Sequence, residues 1–434
     1  MALHTDTIAA LATPPGESGI AVIRVSGVDA LSALSRVLRT PAGEAFRGEW
    51  EHRRLYHGRF VAADGTPVDE VMAAVMRAPE SYTGEDVAEI SCHGGSAVVA
   101  RVLESLFAPD VRPAQPGEFT RRAFLNGKMD LIQAEAVADL IHARTELQRS
   151  VAERQLRGAL SRRIDALADD MLGLLGLIEA NIDFIEEDID ALDVPESLAR
   201  IERQRAEIDD LLASAAFAGP LRDGSRVVIA GPVNAGKSSL FNRLVGESRA
   251  IVTEIPGTTR DVLRESVSID GVPFVIHDTA GLRDTAPDRV ESIGIDRARD
   301  AARAADVVVF VIDGSESLPA ETRRALAQLD VDRAVMVVNK VDRPVHGDPP
   351  IRSGLTVVRA SAETGEGLGE LKASLLRVAR SDELTRMARD RVILNARLAA
   401  LLESAREPLA DLGRAIRDRE ALEILAARAR DVLS

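Results

Sequence analysis

Apolar positions change their period three times along the chain. Over residues 1 to about 120 they come in short runs, such as Gly19–Val25 (GIAVIRV) and Val68–Met76 (VDEVMAAVM), bounded by Gly, Pro or Asp. Runs of this kind predict strands. Pro14, Pro15, Gly16, Pro113, Pro116 and Gly117 mark loops between them. From about Phe119 to Ala215 proline disappears except at Pro195, and Leu, Ile and Ala recur at helical spacing. Met171, Leu174, Leu175 and Ile178 fall at i, i+3, i+4 and i+7, which predicts one apolar face of a long, bundled helix.

From Arg226 to about Leu376 strands and helices alternate. Near-continuous apolar runs at Arg226–Ala230, Pro273–His277, Asp306–Ile312, Ala334–Val338 and Leu355–Arg359 predict a parallel sheet covered on both faces. After Leu376 the helical texture, rich in Ala, Leu, Arg and Glu, returns up to Ser434. The same texture on both flanks predicts an α/β multidomain chain. Residues 1–120 form an N-terminal α/β domain, 121–215 and 377–434 the two parts of a split helical domain, and 216–376 an inserted α/β domain. Insertion is tolerated because a domain's termini usually lie close together at its surface.

A length of 434 residues agrees with two to four domains, and 46 % hydrophobic with 28 % charged residues is ordinary for a soluble protein. No apolar run approaches the roughly 18 residues of a membrane span. His4 and Asp6 break the basic-then-apolar order of a secretory signal, so a cytoplasmic protein without a membrane partner is expected. Cys92 is the single cysteine, which excludes an internal disulfide framework and a multi-cysteine zinc site. It reads as a small buried residue in a reducing compartment. A formal charge of −15 makes the chain a poor non-specific ligand for nucleic acid, and DNA is not an expected partner. Any RNA contact needs a local basic patch or a partner protein.

The decisive chemistry lies in the inserted domain. Gly231-Pro-Val-Asn-Ala-Gly-Lys-Ser238 follows an apolar strand and opens a helical pattern at Ser239, the context a phosphate loop requires. Glycines let backbone N–H groups turn toward phosphate oxygens, and the helix N-terminus favours the anion. Lys237 is expected to reach the β- and γ-phosphates and Ser238 to bind Mg²⁺. Asp278-Thr-Ala-Gly281 ends the next strand, with Asp278 placed to act on Mg²⁺ through water and the Gly281 amide to sense the γ-phosphate. Asn339-Lys-Val-Asp342 closes a later strand. Asp342 can accept from guanine N1–H and the 2-amino group, which adenine does not offer, so the motif selects GTP over ATP. Ser361-Ala362, after the last strand, supplies the amide that reads guanine O6. Gly257-Thr258-Thr259-Arg260-Asp261 lies between the phosphate loop and Asp278, and Thr259 is the favoured threonine for Mg²⁺. Four guanine-nucleotide motifs in order predict a Ras-like P-loop GTPase.

The residue after Asp278-Thr-Ala-Gly281 is Leu282, where many small GTPases carry a water-orienting glutamine. Another group has to place the water, and another charge has to offset the β–γ bridge. Glu291 is a candidate for the first task, although from position alone it reads more readily as a solvated helical glutamate. Asn234 is a candidate ligand for a monovalent cation in the second, since its amide oxygen suits a hard cation.

Taken together, these residues resemble a family, the tRNA modification GTPase MnmE (TrmE) within the TrmE-Era-Septin-like GTPases. The resemblance runs over essentially the whole chain. It includes Asp6-Thr-Ile, Ala12-Thr-Pro-Pro-Gly16, Tyr82-Thr-Gly-Glu-Asp86, His93-Gly-Gly95, Pro116-Gly-Glu-Phe119 and Arg122 to Ala136, and in the GTPase segment Gly231 to Ser239, Ile251 to Arg264 and Asp278 to Arg283. The N-terminal motifs matter most, because other GTPases lack them.

The resemblance implies partners, cofactors and site residues. The family works with a flavoprotein, MnmG, in a heterotetramer, and places an aminomethyl or carboxymethylaminomethyl group on carbon 5 of the wobble uridine of tRNA. 5-Formyltetrahydrofolate or a related tetrahydrofolate supplies the one-carbon unit. The N-terminal domain makes a homodimer, and GTPase domains pair across the nucleotides with K⁺ in place of an arginine finger. Carried onto this sequence by the resemblance, the potassium ligands are Asn234, Thr253, Ile255 and Thr258, the Mg²⁺ ligands Ser238 and Thr259, and the water-positioning glutamate Glu291, with Lys237 as its catalytic partner. The implied GTP contacts are Asn234, Ala235, Gly236, Lys237, Ser238, Ser239, Thr253, Glu254, Ile255, Pro256, Gly257, Thr258, Thr259, Asp278, Thr279, Ala280, Gly281, Asn339, Lys340, Asp342, Ser361 and Ala362. The implied folate site uses Arg24, Glu89 and Lys128: Arg24 and Lys128 to hold the glutamate tail, Glu89 to accept from the pterin. The family usually ends in a Cys-x-Gly-Lys tail. This sequence stops at Ser434 without that tail, so the expectation is either a short missing segment, which the abrupt break in the helical pattern favours, or a member that lacks the cysteine. The alternative reading is a ribosome-assembly GTPase without folate chemistry. The acidic charge and His93-Gly-Gly95 weigh against it. A nucleotide-gated scaffold in which hydrolysis is incidental is a further alternative.

Overall fold

The computed structural model describes residues 6–46, 49–183, 192–248, 264–278, 305–344 and 352–433. They form two compact units, one within residues 6–137 and one made of the described residues from 138 onward.

The first unit is built on seven strands: β1 (Thr7–Leu11), β2 (Ser18–Ser26), β3 (Leu38–Arg39), β4 (Leu55–Val61), β5 (Pro67–Met76), β6 (Val87–Gly94) and β7 (Val111–Pro113). Their order is β3-β4-β5-β6-β2-β1-β7. All neighbours are antiparallel except β1 and β7. The strands alternate as a half-covered sheet should. In β2, Ala21, Ile23 and Val25 are buried, whereas Val22 and Arg24 are half-buried. The helices Ala30–Val37 and Ser96–Leu106 close the buried face through Ala30, Leu34, Val37, Val102 and Leu106. The register pairs Arg24 with Glu89 across β2 and β6. Cys92 sits in this core, where burial, with Asp69 adding to it, pushes its thiol up to about 11.

The second unit carries a six-stranded sheet. Its strands are β8 (Ser225–Ala230), β9 (Arg264–Ile269), β10 (Val272–Asp278), β11 (Val307–Asp313), β12 (Ala334–Asn339) and β13 (Thr356–Arg359), in the order β13-β12-β11-β8-β10-β9. Only the edge strand β9 runs antiparallel to its neighbour. Every residue from Val307 to Ile312 and from Ala334 to Asn339 is buried, as strands covered on both faces require. Because the remaining strands are parallel, Ala230, Asp313, Asn339 and Arg359 all end on one edge of the sheet. That is where an open α/β sheet binds its ligand.

Beside the sheet, the helices Ala159–Asp183, Val194–Ala215, Ala396–Arg417 and Leu422–Leu433 share one apolar core. The face Met171, Leu174, Leu175 and Ile178 meets Ile201, Ile208, Leu409, Leu412, Leu425 and Ala429 there, so chain segments from before and after the sheet build one bundle.

The helix Glu146–Leu156 behaves differently. Thr145 and Gln148 close a capping box at its start. It then places Val151 in the core of the sheet domain, together with Leu221, Leu384, Ala388 and Ile393. Arg154 donates to the carbonyls of Ala388 and Arg389, at the end of the helix Ser381–Asp390, where a cation also meets the negative end of the helix dipole. Gln155 Nε2 donates to Ile393 O at 2.7 Å, and Gln148 Nε2 to Leu221 O at 2.9 Å. Arg144 reaches Ser266 on the edge strand β9. Residues that the sequence places in the helical domain therefore pack into the sheet domain. Among the described residues no helix is long and apolar enough to cross a membrane.

Candidate nucleotide site

β8 ends at Ala230, and the chain turns through Gly231 to Gly236 into the helix Lys237–Ser248. Three residues in this turn have positive φ: Gly231 at 143°, Asn234 at 61° and Gly236 at 91°. A Cβ on Gly231 would lie 2.1 Å from Val311 O, and one on Gly236 would lie 2.1 Å from Asn339 Nδ2. Glycine is thus required at both positions by space as well as by conformation. Asn234 tolerates the left-handed region as few other side chains do, and it is exposed at the loop tip. The Lys237 ammonium, 8 % exposed, donates to Pro232 O at 2.6 Å and so lies folded over its own loop. Ser238 and Ser239 are at the helix N-terminus, with Ser239 exposed beside the buried turn of Leu240.

Asn339 joins three motifs. It is 1 % exposed, its Nδ2 donates to Ala235 O at 2.8 Å, and its Oδ1 accepts from Ala362 N at 3.0 Å. The phosphate loop, the Asn339–Asp342 segment and Ser361-Ala362 are thereby fixed to one another by one buried amide. Asp342 Oδ1 accepts from Ser361 Oγ at 2.5 Å, and that bond holds the Asp342 carboxyl below the usual range. The carboxylate is thus ionised and aimed before any base arrives, as a reader of paired N–H donors needs.

Lys340 has φ 65°, a costly conformation for lysine, and its ammonium lies 2.6 Å from Asp313 Oδ2. Asp313 Oδ1 accepts from both the amide and the hydroxyl of Ser315. Burial pushes the Asp313 carboxyl up, but Lys340 and Ser315 more than offset it, leaving it below its ordinary value. Sequence reasoning missed Asp313; the parallel register that sets it beside Asn339 is what reveals it. Replacing Asp313 with Asn removes the charge partner of a strained residue two positions from Asp342. The expected result is a GDP affinity about tenfold weaker or more, since hydrogen bonds to charged groups contribute about 1.5–3 kcal/mol. Titration with a fluorescent GDP analogue measures it; an unchanged dissociation constant would remove Asp313 from the site.

Asp278 is the last residue of β10, and its side chain lies outside what the structure describes. Thr253, Glu254, Ile255, Pro256, Gly257, Thr258, Thr259, Thr279, Ala280, Gly281, Leu282 and Glu291 also lie outside the described residues. Among the described residues no group of three or more His, Cys, Asp or Glu is arranged to hold a metal.

In the N-terminal sheet, Arg24 and Glu89 form an ion pair across β2 and β6. Arg24 donates to Glu89 through Nε at 2.8 Å and Nη2 at 2.7 Å. Lys128 meets neither of them in a described contact; its ammonium donates to Pro79 O at 3.0 Å. Beneath lies a buried ionic network that the sequence did not reveal. Arg122, 0 % exposed, bonds to Glu85 at 3.1 Å and to Asp6 at 3.0 Å, with Glu118 at 3.5 Å. Arg112 also grips Glu118 and Asp6. The hydrogen bonds from Arg112, joined by the Gln115 amide, hold the Glu118 carboxyl down to about 2 despite its burial.

Comparison with known proteins completes the picture. Residues 7–128 match the family described as GTP-binding protein TrmE N-terminus, and residues 131–434 match the MnmE helical domain. The chain belongs to the MnmE (TrmE) family of tRNA modification GTPases. The tRNA modification GTPase MnmE of Natranaerobius thermophilus is 43 % identical over 93 % of this chain and 88 % of that protein. The MnmE of Symbiobacterium thermophilum is 44 % identical over 94 % and 89 %, and that of Geobacter sulfurreducens 42 % identical over 99 % and 93 %. Among solved structures, the G domain of the T. maritima FeoB iron transporter aligns with 36 % of this chain and 98 % of that chain at 26 % identity. Its TM-score is 0.26, which adds nothing to the assignment. The MnmE family thus accounts for the N-terminal sheet, the helical bundle and the GTPase sheet in a single chain.

Proposed function

We propose that this protein is a potassium-stimulated GTPase that acts on tRNA. With the flavoprotein MnmG it forms a 5-aminomethyl or 5-carboxymethylaminomethyl group on the wobble uridine, using a one-carbon unit from 5-formyltetrahydrofolate or a related tetrahydrofolate. The observation that carries the reading is the joining of three nucleotide motifs by Asn339 in a chain whose residues 7–128 match the TrmE N-terminus. The curated relatives it matches are named tRNA modification GTPases.

In this reading the phosphate-loop amides and Lys237 hold the triphosphate, and Asp342, backed by the Ser361-Ala362 segment, selects guanine. Ser238, Thr259 and, through water, Asp278 are the Mg²⁺ partners. Asn234, Thr253, Ile255 and Thr258 hold K⁺, which supplies the positive charge that Leu282 leaves to be found. Glu291 orients the water for in-line attack, and preorganised charge does most of the catalysis. The protein works in the cytoplasm as a homodimer through its N-terminal domain, and MnmG completes a heterotetramer. GTP turnover is expected to be faster in KCl than in NaCl at equal ionic strength. Equal slow rates would remove the cation from the mechanism. Mass spectrometry of wobble nucleosides from a deletion strain tests the whole reading: the modified uridine is expected to vanish, and an unchanged profile would refute it.

A further inference from the structure

The chain carries a formal charge of −15, yet two of its segments run against that sign. Residues 144–163 and 377–397 together hold twelve arginines and only five acidic residues. They are far apart in sequence, and the fold brings them together. Arg154 donates to the carbonyls of Ala388, Arg389 and Arg391. Gln155 donates to Ile393 O. Arg162 Nη1 donates to Arg157 O at 2.8 Å, which carries the band on into the helix Ala159–Asp183. Arg163 and Arg391 share the carboxylate of Asp210, so both segments are tied to the helix Val194–Ala215.

The charges on the open side of this band are not neutralised within the molecule. The helix Ser381–Asp390 buries Ser381, Leu384 and Ala388, which leaves Arg386 and Arg389 exposed on its other face. Among the described residues neither of them, nor exposed Arg162, has a carboxylate within ion-pair distance. Arg157, with 76 % of its side chain exposed, meets only Glu153, which Arg149 also holds. An exposed pair of that kind is weak and easily exchanged for another anion.

What the band lacks identifies its partner. None of the exposed large hydrophobic residues lies in either segment, and neither segment contains Phe, Tyr or Trp. A protein docking surface centres on apolar and aromatic anchors, and single-stranded RNA is held by stacking on aromatic rings. Guanidinium groups without such companions suit a surface of phosphates.

We propose that Arg157, Arg162, Arg386 and Arg389 form a contact surface for the phosphate backbone of a base-paired arm of tRNA, recognised by shape and charge and not by sequence. The proposal rests on the tRNA reading above and adds where on this chain the RNA lies. The wobble base sits in an unpaired loop, so the band holds the body of the substrate while another surface receives the base. Through Leu384 and Ala388 the RNA-bearing helix is seated in the core of the nucleotide domain.

Fluorescence polarisation with the full chain at several KCl concentrations tests this, using two probes: labelled tRNA, and a blunt RNA duplex with the sequence of its acceptor stem. Arg162→Gln combined with Arg386→Gln and Arg389→Gln is expected to weaken both about tenfold or more. It should also lower the slope of log K against log salt by about two to three. None of the three residues has an ion pair to lose, so GTP turnover without RNA should be unchanged and reports that the variant is folded. Arg323→Gln with Arg324→Gln and Arg333→Gln, at exposed positions elsewhere on the sheet domain, changes the net charge equally. It should leave both affinities within about twofold, because distant charges are screened by salt. Equal losses in the two triple variants would mean bulk charge and overturn the proposal. Unchanged affinity in the first variant, or a loss for tRNA with the duplex spared, would overturn it too. So would a first variant that keeps tRNA but no longer co-elutes with the flavoprotein, since the band would then be a protein interface. If the unmodified chain binds neither probe the proposal falls, while the tRNA reading is decided separately by the wobble nucleosides of the deletion strain.

Discussion

Replacing Asp342 with Asn is expected to lower kcat/KM for GTP about 10⁴-fold and to restore much of the loss with xanthosine triphosphate. A site built around a hydrogen bond to a ligand N–H rejects a mismatch by that order, because polar groups covered on binding are left unpaired. The carboxylate is aimed in advance by Ser361 Oγ at 2.5 Å, and its pKa is depressed by the same bond, so it is an acceptor only. An asparagine amide would point a donor at guanine N1–H, whereas xanthine offers an oxygen where guanine has its 2-amino group. Steady-state kinetics with both nucleotides decide the matter. A GTP efficiency within tenfold of the unmodified protein would mean that Asp342 does not read the base.

The largest effect on stability is expected from Arg122→Met. Arg122 is wholly buried among Glu85, Glu118 and Asp6, and the first two carboxylates are themselves nearly inaccessible. Removing the cation leaves buried negative charge uncompensated, which costs about 3–5 kcal/mol. Urea unfolding followed by Trp50 fluorescence measures it, and a loss below about 1 kcal/mol would show that the network is replaceable. The same network predicts the direction of acid sensitivity. The Glu118 pKa falls from 4.5 to about 2 on folding, so its contribution is complete above about pH 4.5 and declines as pH drops toward 2. The Trp50 transition should therefore shift to lower urea over that window, and the shift should shrink in Arg112→Met, because Arg112 is the main cause of the depression.

The legibility of each part in the sequence has a physical cause. Gly231, Gly236, Asn339 and Ser361-Ala362 are readable because phosphate and base recognition by backbone constrains residue type at fixed spacing. The strands β8, β10, β11, β12 and β13 announce themselves as apolar runs. The edge strand β9 does not, since Arg264–Ile269 (RESVSI) carries too many polar residues to read as a buried strand. Helical periodicity tells which face of a helix is apolar but not what covers it, so Val151 reads as bundle although its neighbours are Leu384 and Ala388. Charges such as Arg122 and Glu118 look like surface residues until distant segments meet. For the same reason the pairing of Arg24 with Glu89 is not legible until the β2–β6 register sets them side by side.

The seating of the helix Glu146–Leu156 has a practical corollary. Cutting the polypeptide where its texture changes, at 216 and 376, would strip Val151, Leu384, Ala388 and Ile393 from one shared interior and leave an oily notch where they had been. It would also discard Arg154 together with the helix end it caps. A soluble, free-standing nucleotide module would have to be excised with its upstream and downstream flanks still attached, and a minimal fragment would tend to precipitate.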